Sequence, residues 1–127
     1  MDEEQFKQRT KNLALGVMRT TASLPTTREL DVLARQLVRS ATSIGANYRA
    51  ACRARSVPDM ITKLKIVEEE ADETQYWLEL ISELDRATSS ELKSLHRETD
   101  EILAMTVASI RTLRARQAKS SIVNRKP

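Results

Sequence analysis

The sequence predicts an all-α fold, an antiparallel up-down-up-down four-helix bundle, and three observations carry that expectation. Only two glycines and three prolines interrupt 127 residues, and Ala, Leu, Arg and Glu, which favour helix, fill the rest. Four aromatic residues are present in all, too few for the aromatic and β-branched alternation of strands. Four segments place apolar residues three and four positions apart, and short polar breaks join them, so that successive helices run antiparallel.

The first segment spans about Glu3 to Ser23, with Phe6, Leu13, Val17 and Leu24 near heptad spacing. It stops before Pro25, because the residue preceding a proline disfavours the α region. Thr26 or Thr27 caps the second helix, and Glu29 in its first turn suits the helix dipole. Leu30, Ala34, Leu37, Ala41, Ile44, Tyr48 and Ala51 carry that helix to about Arg53. Ser56-Val-Pro-Asp59 is a strong start signal, a capping serine followed by a proline in the first turn and an acid three residues after the cap. The third helix is expected over Val57 to about Asp85, with a seam of Val57, Met60, Leu64, Val67, Ala71, Thr74, Leu78 and Ile81. After the polar break from Arg86 to Ser90, a fourth helix is expected to about Arg114, with Leu92, Leu95, Thr99, Ile102, Leu103, Thr106, Ile110 and Leu113 on one face.

Charge divides the chain in two. Six of the 21 basic residues lie from Arg111 onward, where no acid occurs, so 15 basic residues face 18 acids before it and residues 1–110 carry a net −3. The expected organisation is a bundle domain over 1–114 and a basic, disordered tail over 115–127. Cys52 is the single cysteine; it excludes an internal disulfide and reads as a small apolar residue. The opening MDEEQFKQR is unlike a secretory signal, and no apolar run has the length of a membrane span. A soluble, cytoplasmic protein without membrane contact is expected.

The acidic stretch EEEADETQYWLEL, residues 68–80, divides on a helical wheel. With Met60 at 0°, Leu80, Ile66, Leu84, Trp77, Ile81, Val67, Leu78, Ala71 and Leu64 fill an arc of about 200°. Glu68, Glu69, Asp72, Glu79 and Glu83 fall opposite it, on a solvated face. Glu70 and Glu73 fall inside the apolar arc, at about 280° and 220°. There a carboxylate must find hydrogen-bond donors or take up a proton. Gln36, Ser40, Ser43 and Asn47 line one edge of the second helix, and with Glu70 and Glu73 they form an expected polar network that fixes helix register. An arc so wide exceeds the stripe of a helix packed on one side, which makes Ile66, Trp77 and Leu80 the expected subunit interface.

A metal or small-ligand site is the competing reading of those glutamates. Di-iron carboxylate bundles require Glu-x-x-His on two helices. Here the one histidine is His96, with lysine at 93, so neither a metal nor another cofactor is expected and His96 reads as packed or half-exposed. No glycine-rich phosphate loop, nucleophile elbow or supported Cys–His pair occurs; an enzyme is not expected. Arg28, Arg35, Arg39, Arg49 and Arg53 share one stripe of the second helix. With Lys119, Arg125 and Lys126 of the tail, they are the candidate contacts to RNA or DNA. Their alternatives are pairing with the acidic face of the third helix or simple solvation.

The run RQLVRSATSIGANYRAACRARS followed by VPDMITKLKIVEEEADETQYWLEL resembles the bacterial four-helix-bundle family first noticed in reading frames of 23S ribosomal-RNA intervening sequences. Gln36, Leu37, Arg39, Ser40, Ser43, Ile44, Ala46 and Asn47 match the first motif of that family, QLxRSAxSIxANxxEA. Glu70, Ala71, Glu73, Thr74, Tyr76, Trp77, Leu78, Glu79 and Leu80 match the second, KLxIxxxEAxETxYWLELL. The resemblance spans about residues 6–114; Ala50 departs from it where many relatives carry an acid. It implies an antiparallel four-helix bundle assembled as a closed ring, typically a homopentamer. A distantly similar protein serves retroelements, as a pentameric bundle that binds nucleic acid and a reverse transcriptase. The expectation is therefore a non-enzymatic, self-assembling ring scaffold for RNA or a protein partner. Two alternatives stand beside it, an accessory nucleic-acid-binding protein of a retroelement and a small-ligand or metal-binding bundle.

Overall fold

In the computed structural model, which describes residues 2–124, a helix begins wherever a side chain can satisfy its free N–H groups. Asp2 opens α1 (Glu3–Ala22) by accepting from the Gln5 amide at 2.8 Å, while the Gln5 side chain accepts from the Asp2 amide at 3.0 Å, a reciprocal capping box. Thr27 caps α2 (Arg28–Cys52) through the Leu30 amide at 3.2 Å. Ser56 caps α3 (Val57–Leu84) through the Asp59 amide at 3.2 Å, with Pro58 in the first turn. One turn of 3-10 helix, Arg86–Thr88, then leads into α4 (Ser89–Asn124). There Thr88 donates to the Asp85 carboxylate at 2.7 Å.

The far end of α4 differs from the expectation of a disordered tail beginning at 115. The helix passes Arg114 without a break and continues to Asn124. Arg-Ala-Arg-Gln-Ala-Lys contains no glycine or proline and consists of good helix formers, so local propensity extends the helix beyond the packing that nucleates it. Among residues 2–121 the last buried one is Ile110, and residues 114–121 are all exposed. The packed bundle therefore ends near the expected place, while the helix does not.

Contacts between helices show an antiparallel up-down-up-down order. Phe6 near the start of α1 stacks on Tyr48 near the end of α2, with centroids 4.4 Å apart. Ser40 meets Thr74 between α2 and α3. Gln75 bonds Asp100 at 3.2 Å, and Ser82 meets Ser89 at 3.0 Å, between α3 and α4. Arg9 reaches Glu98 to close α1 against α4.

The main core joins all four helices, with Leu13, Val17, Leu37, Ile44, Val67, Leu78, Ile81, Leu92 and Ile102 almost wholly buried. Each such side chain contributes about 1.5–3 kcal/mol on transfer from water. A second cluster of Ala51, Ile61, Leu64 and Ile110 packs the end where α2 turns into α3. The expected seam of α3 holds from Leu64 to Ile81, but Val57 is exposed and Ile61 is buried in its place. Threonines enter the core because each can return its hydroxyl to the helix. Thr10, Thr74, Thr99 and Thr106 are buried, and they donate to the carbonyls of Lys7, Glu70, Leu95 and Ile102. Gly45 lets α1 approach closely: a Cβ there would lie 3.1 Å from Thr10 Oγ1. No helix among the described residues is long and apolar enough to cross a membrane.

Candidate assembly surface and the polar seam of α3

The polar residues expected to form one network divide into two groups. Arg39 reaches from α2 to α3, where Nη1 donates to Glu70 at 3.4 Å and Nη2 donates to Glu73. The Trp77 indole, one turn on, donates to the same Glu73 oxygen at 3.1 Å. Gln36 accepts from Arg39 Nε at 3.3 Å and so steadies the guanidinium. Ser40 is fully buried; it donates to the Leu37 carbonyl and lies 2.9 Å from Thr74 Oγ1. Ser43 and Asn47 do not reach α3. They turn back to the carbonyls of Arg39 and Ser43 at 2.8 and 2.9 Å, as short polar side chains in helices commonly do. The residue that gathers the glutamates is thus Arg39, which the sequence placed on the nucleic-acid stripe.

Glu70 is the more enclosed of the two carboxylates, its side chain 16% exposed against 35% for Glu73. Burial raises its pKa above the ordinary carboxylate range; Arg39 opposes that shift and the Glu73 charge reinforces it. No buried side-chain nitrogen or oxygen among the described residues lacks a partner, so the seam is internally complete. Among those residues no group of three or more His, Cys, Asp or Glu is arranged to hold a metal ion.

Three inter-helix pairs carried no sequence signal. Arg9 grips Glu98 with Nε–Oε2 at 2.6 Å and Nη2–Oε1 at 2.7 Å, and also meets Glu101 at 3.2 Å. Glu98 holds the Arg9 pKa well above its ordinary value, first through the hydrogen bond and then through its charge. Gln75 is buried against Asp100, and His96 is half-exposed beside Glu79, with Nε2–Oε2 2.9 Å. Cys52 is half-buried rather than enclosed. Burial nevertheless raises its thiol pKa, which disfavours the reactive thiolate.

Ile66, Trp77 and Leu80, the expected interface, are half-buried within the single subunit. The arc on α3 is wide chiefly because α2 and α4 flank the helix on both sides, and its own bundle uses most of it. Toward the far end of α3, Leu84 within that arc and Tyr76 beside it stay uncovered. Tyr76 is 54% exposed and Leu84 is 61% exposed, and the Tyr76 and Trp77 rings pair with centroids 5.2 Å apart. Tyr76 escapes the wheel argument because it falls among the acids, in a shallow depression lined by Glu69, Asp72, Glu73, Gln75 and Glu79.

The α2 arginines are all exposed. Arg39 is committed to the two glutamates, and Arg35 pairs with Asp31 at 3.1 Å. Arg28, Arg49 and Arg53 form no ion pair among the described residues. Lys119 is exposed on the extension of α4, whereas Arg125 and Lys126 lie outside the described residues.

Comparison with known proteins agrees with this geometry. A family model described as 23S rRNA-intervening sequence protein matches residues 2–108. A crystal structure of a protein of unknown function from the S23 ribosomal protein family of Bacteroides thetaiotaomicron superposes with a TM-score of 0.77 at 34% identity, covering 87% of this chain and 99% of that one. No curated protein matches. The family model takes in α1, α2 and α3, both motif runs and most of α4, and the chain belongs to the 23S rRNA-intervening sequence protein family.

Proposed function

We propose that this protein is a non-enzymatic scaffold whose subunits associate into a closed ring, a homopentamer as the family resemblance implies. The observation that carries the reading is the outer face of α3, where Tyr76 and Leu84 stay uncovered on a small helical subunit and the Tyr76 ring pairs with the half-buried Trp77. Large apolar and aromatic side chains left exposed on one helix suit an interaction site. The polar seam beneath it serves the ring by holding α3 in register on α2, so that the aromatic pair is presented rigidly. Light scattering on the full-length chain at micromolar concentration tests this, with one discrete oligomer as the expected result. A monodisperse monomer overturns it.

A second reading concerns what the ring holds. Arg28, Arg49 and Arg53 are solvated, and Lys119 stands on a helix that leaves the bundle, which favours a phosphate backbone. Binding to structured RNA should weaken with salt, because each neutralised phosphate releases condensed counterions. Arg49→Ala and Arg53→Ala should each lower the slope of log K against log salt by about 0.7–0.9. Absence of salt-sensitive retention of RNA or DNA at low ionic strength contradicts this role and leaves the assembly untouched.

A further inference from the structure

Apart from Val57, the large apolar side chains left exposed among the described residues fall into two groups by position in the bundle. Tyr76 and Leu84 are on α3, and Leu15, Met18 and Val32 are on α1 and α2. Between α1 and α2 runs an open, largely apolar groove of about 470 Å³, whose floor and walls include Met18, Ala22, Ala34 and Val38. The charged residues lining it are Arg35 and Arg39. The depression around Tyr76 is the reverse in charge, for its charged residues are Glu69, Asp72, Glu73 and Glu79.

Neither face suits a copy of itself. Two α3 faces brought together would set carboxylate against carboxylate, and two grooves would set arginine against arginine; like charges across an interface are strongly unfavourable. The two faces complement each other in charge, and the exposed Tyr76 ring offers an aromatic group to the apolar groove. We infer that the Tyr76–Trp77 face of one subunit seats in the α1–α2 groove of a second copy, with Arg35 opposite the Asp72 and Glu69 carboxylates. This rests on the self-association proposed above and adds its polarity. Two different patches make a head-to-tail contact, which closes into a ring when the rotation permits and otherwise extends as a filament. Arg35 is available for the exchange, because its present pair with Asp31 is an exposed i,i+4 contact, with side chains 80% and 60% exposed. Such pairs add little stability. Arg39 stays with its own glutamates at the rim of the groove.

Head-to-tail contact makes a distinctive mixing experiment available. Ala34→Arg blocks the groove and leaves the aromatic face intact. Tyr76→Arg spoils the aromatic face and leaves the groove intact. Both sites are at least partly exposed, and circular dichroism on each variant checks that the helices persist. Each variant alone should lose the wild-type oligomer and run as a monomer. Mixed in equal amounts they should form a heterodimer and nothing larger, since one intact face meets one intact groove once. As a second measurement, Arg35→Glu and Asp72→Arg should each weaken assembly alone and restore it when combined in one chain. A wild-type oligomer that survives both Ala34→Arg and Tyr76→Arg overturns the pairing while leaving self-association intact. Monomers that stay separate on mixing overturn it too. If Ala34→Arg instead changes only RNA retention, the groove holds nucleic acid and the pairing is wrong. A monomeric wild type removes the assembly reading itself.

Discussion

Position along one turn of α3 decides what a carboxylate does. Glu70 and Glu73 meet Arg39, and Glu73 also accepts from Trp77, whereas Glu69 and Asp72 are exposed and bond to no other side chain among the described residues. Glu73→Ala should therefore cost about 1 kcal/mol, because it removes two partners at once, a value held down because Arg39 is half-exposed and its freed donors can meet water. Glu69→Ala and Asp72→Ala should stay within about 0.5 kcal/mol of wild type in urea unfolding. Glu70 behaves differently, since burial raises its folded-state pKa above 4.5. A carboxyl with a raised folded pKa binds its proton more tightly when folded, so its contribution is most favourable at low pH and falls as pH rises from the unfolded value through the folded one. Glu70→Gln should thus match or exceed wild-type stability at neutral pH, with the advantage shrinking as pH falls through the raised folded pKa toward 4.5 and no longer changing below it. A variant markedly less stable at pH 7 would show that Arg39 requires the charge. The wheel reports direction, and in the structure both glutamates lie beside α2, Glu70 more enclosed than Glu73. The wheel could not name Arg39, because only the three-dimensional reach of a long guanidinium decides that Arg39, and not Ser43 or Asn47, crosses to α3.

At the scale of elements, the helices were legible because their signals are local. Ser56 with Pro58, Thr27 after Pro25, and the three-and-four spacing of apolar residues each act within a few positions of the chain. The pairs that bind one helix to another were not legible. Arg9 and Glu98 are separated by most of the chain, and Gln75 was expected nowhere in the core until Asp100 supplied its partner. Arg9→Ala should cost about 1–3 kcal/mol, since it leaves the partly buried Glu98 without its bidentate partner, and Glu98→Ala should do less, because Arg9 retains Glu101. Thermal or urea unfolding of both variants checks the order. The extension of α4 is the opposite kind of element, helical by propensity and exposed throughout residues 114–121. Deleting 115–127 should change stability by no more than about 0.5 kcal/mol, and any loss of RNA retention on deletion then reports on contact rather than on folding.

At the scale of the whole molecule, the wide apolar arc of α3 is shared between its own bundle and the outside. Ile66, Trp77 and Leu80 are the expected interface; the flanks of the bundle half-cover them, while Leu84 of the same arc and Tyr76 beside it stay exposed. A helical wheel treats a helix in isolation, and two neighbours consume an arc that one could not. Trp77 consequently serves both roles, packing on the core and donating to Glu73 while its ring backs Tyr76. Trp77→Ala should lower stability by about 3 kcal/mol or more together with assembly, whereas Tyr76→Ala should weaken assembly with little effect on the unfolding of the subunit. The solution mass of the full-length protein, measured by light scattering beside Tyr76→Arg, tests the central claim most directly. The account predicts a discrete oligomer for the wild type and a folded monomer for the variant. A wild type that remains a monomer at micromolar concentration, or a variant with the wild-type mass, would contradict it.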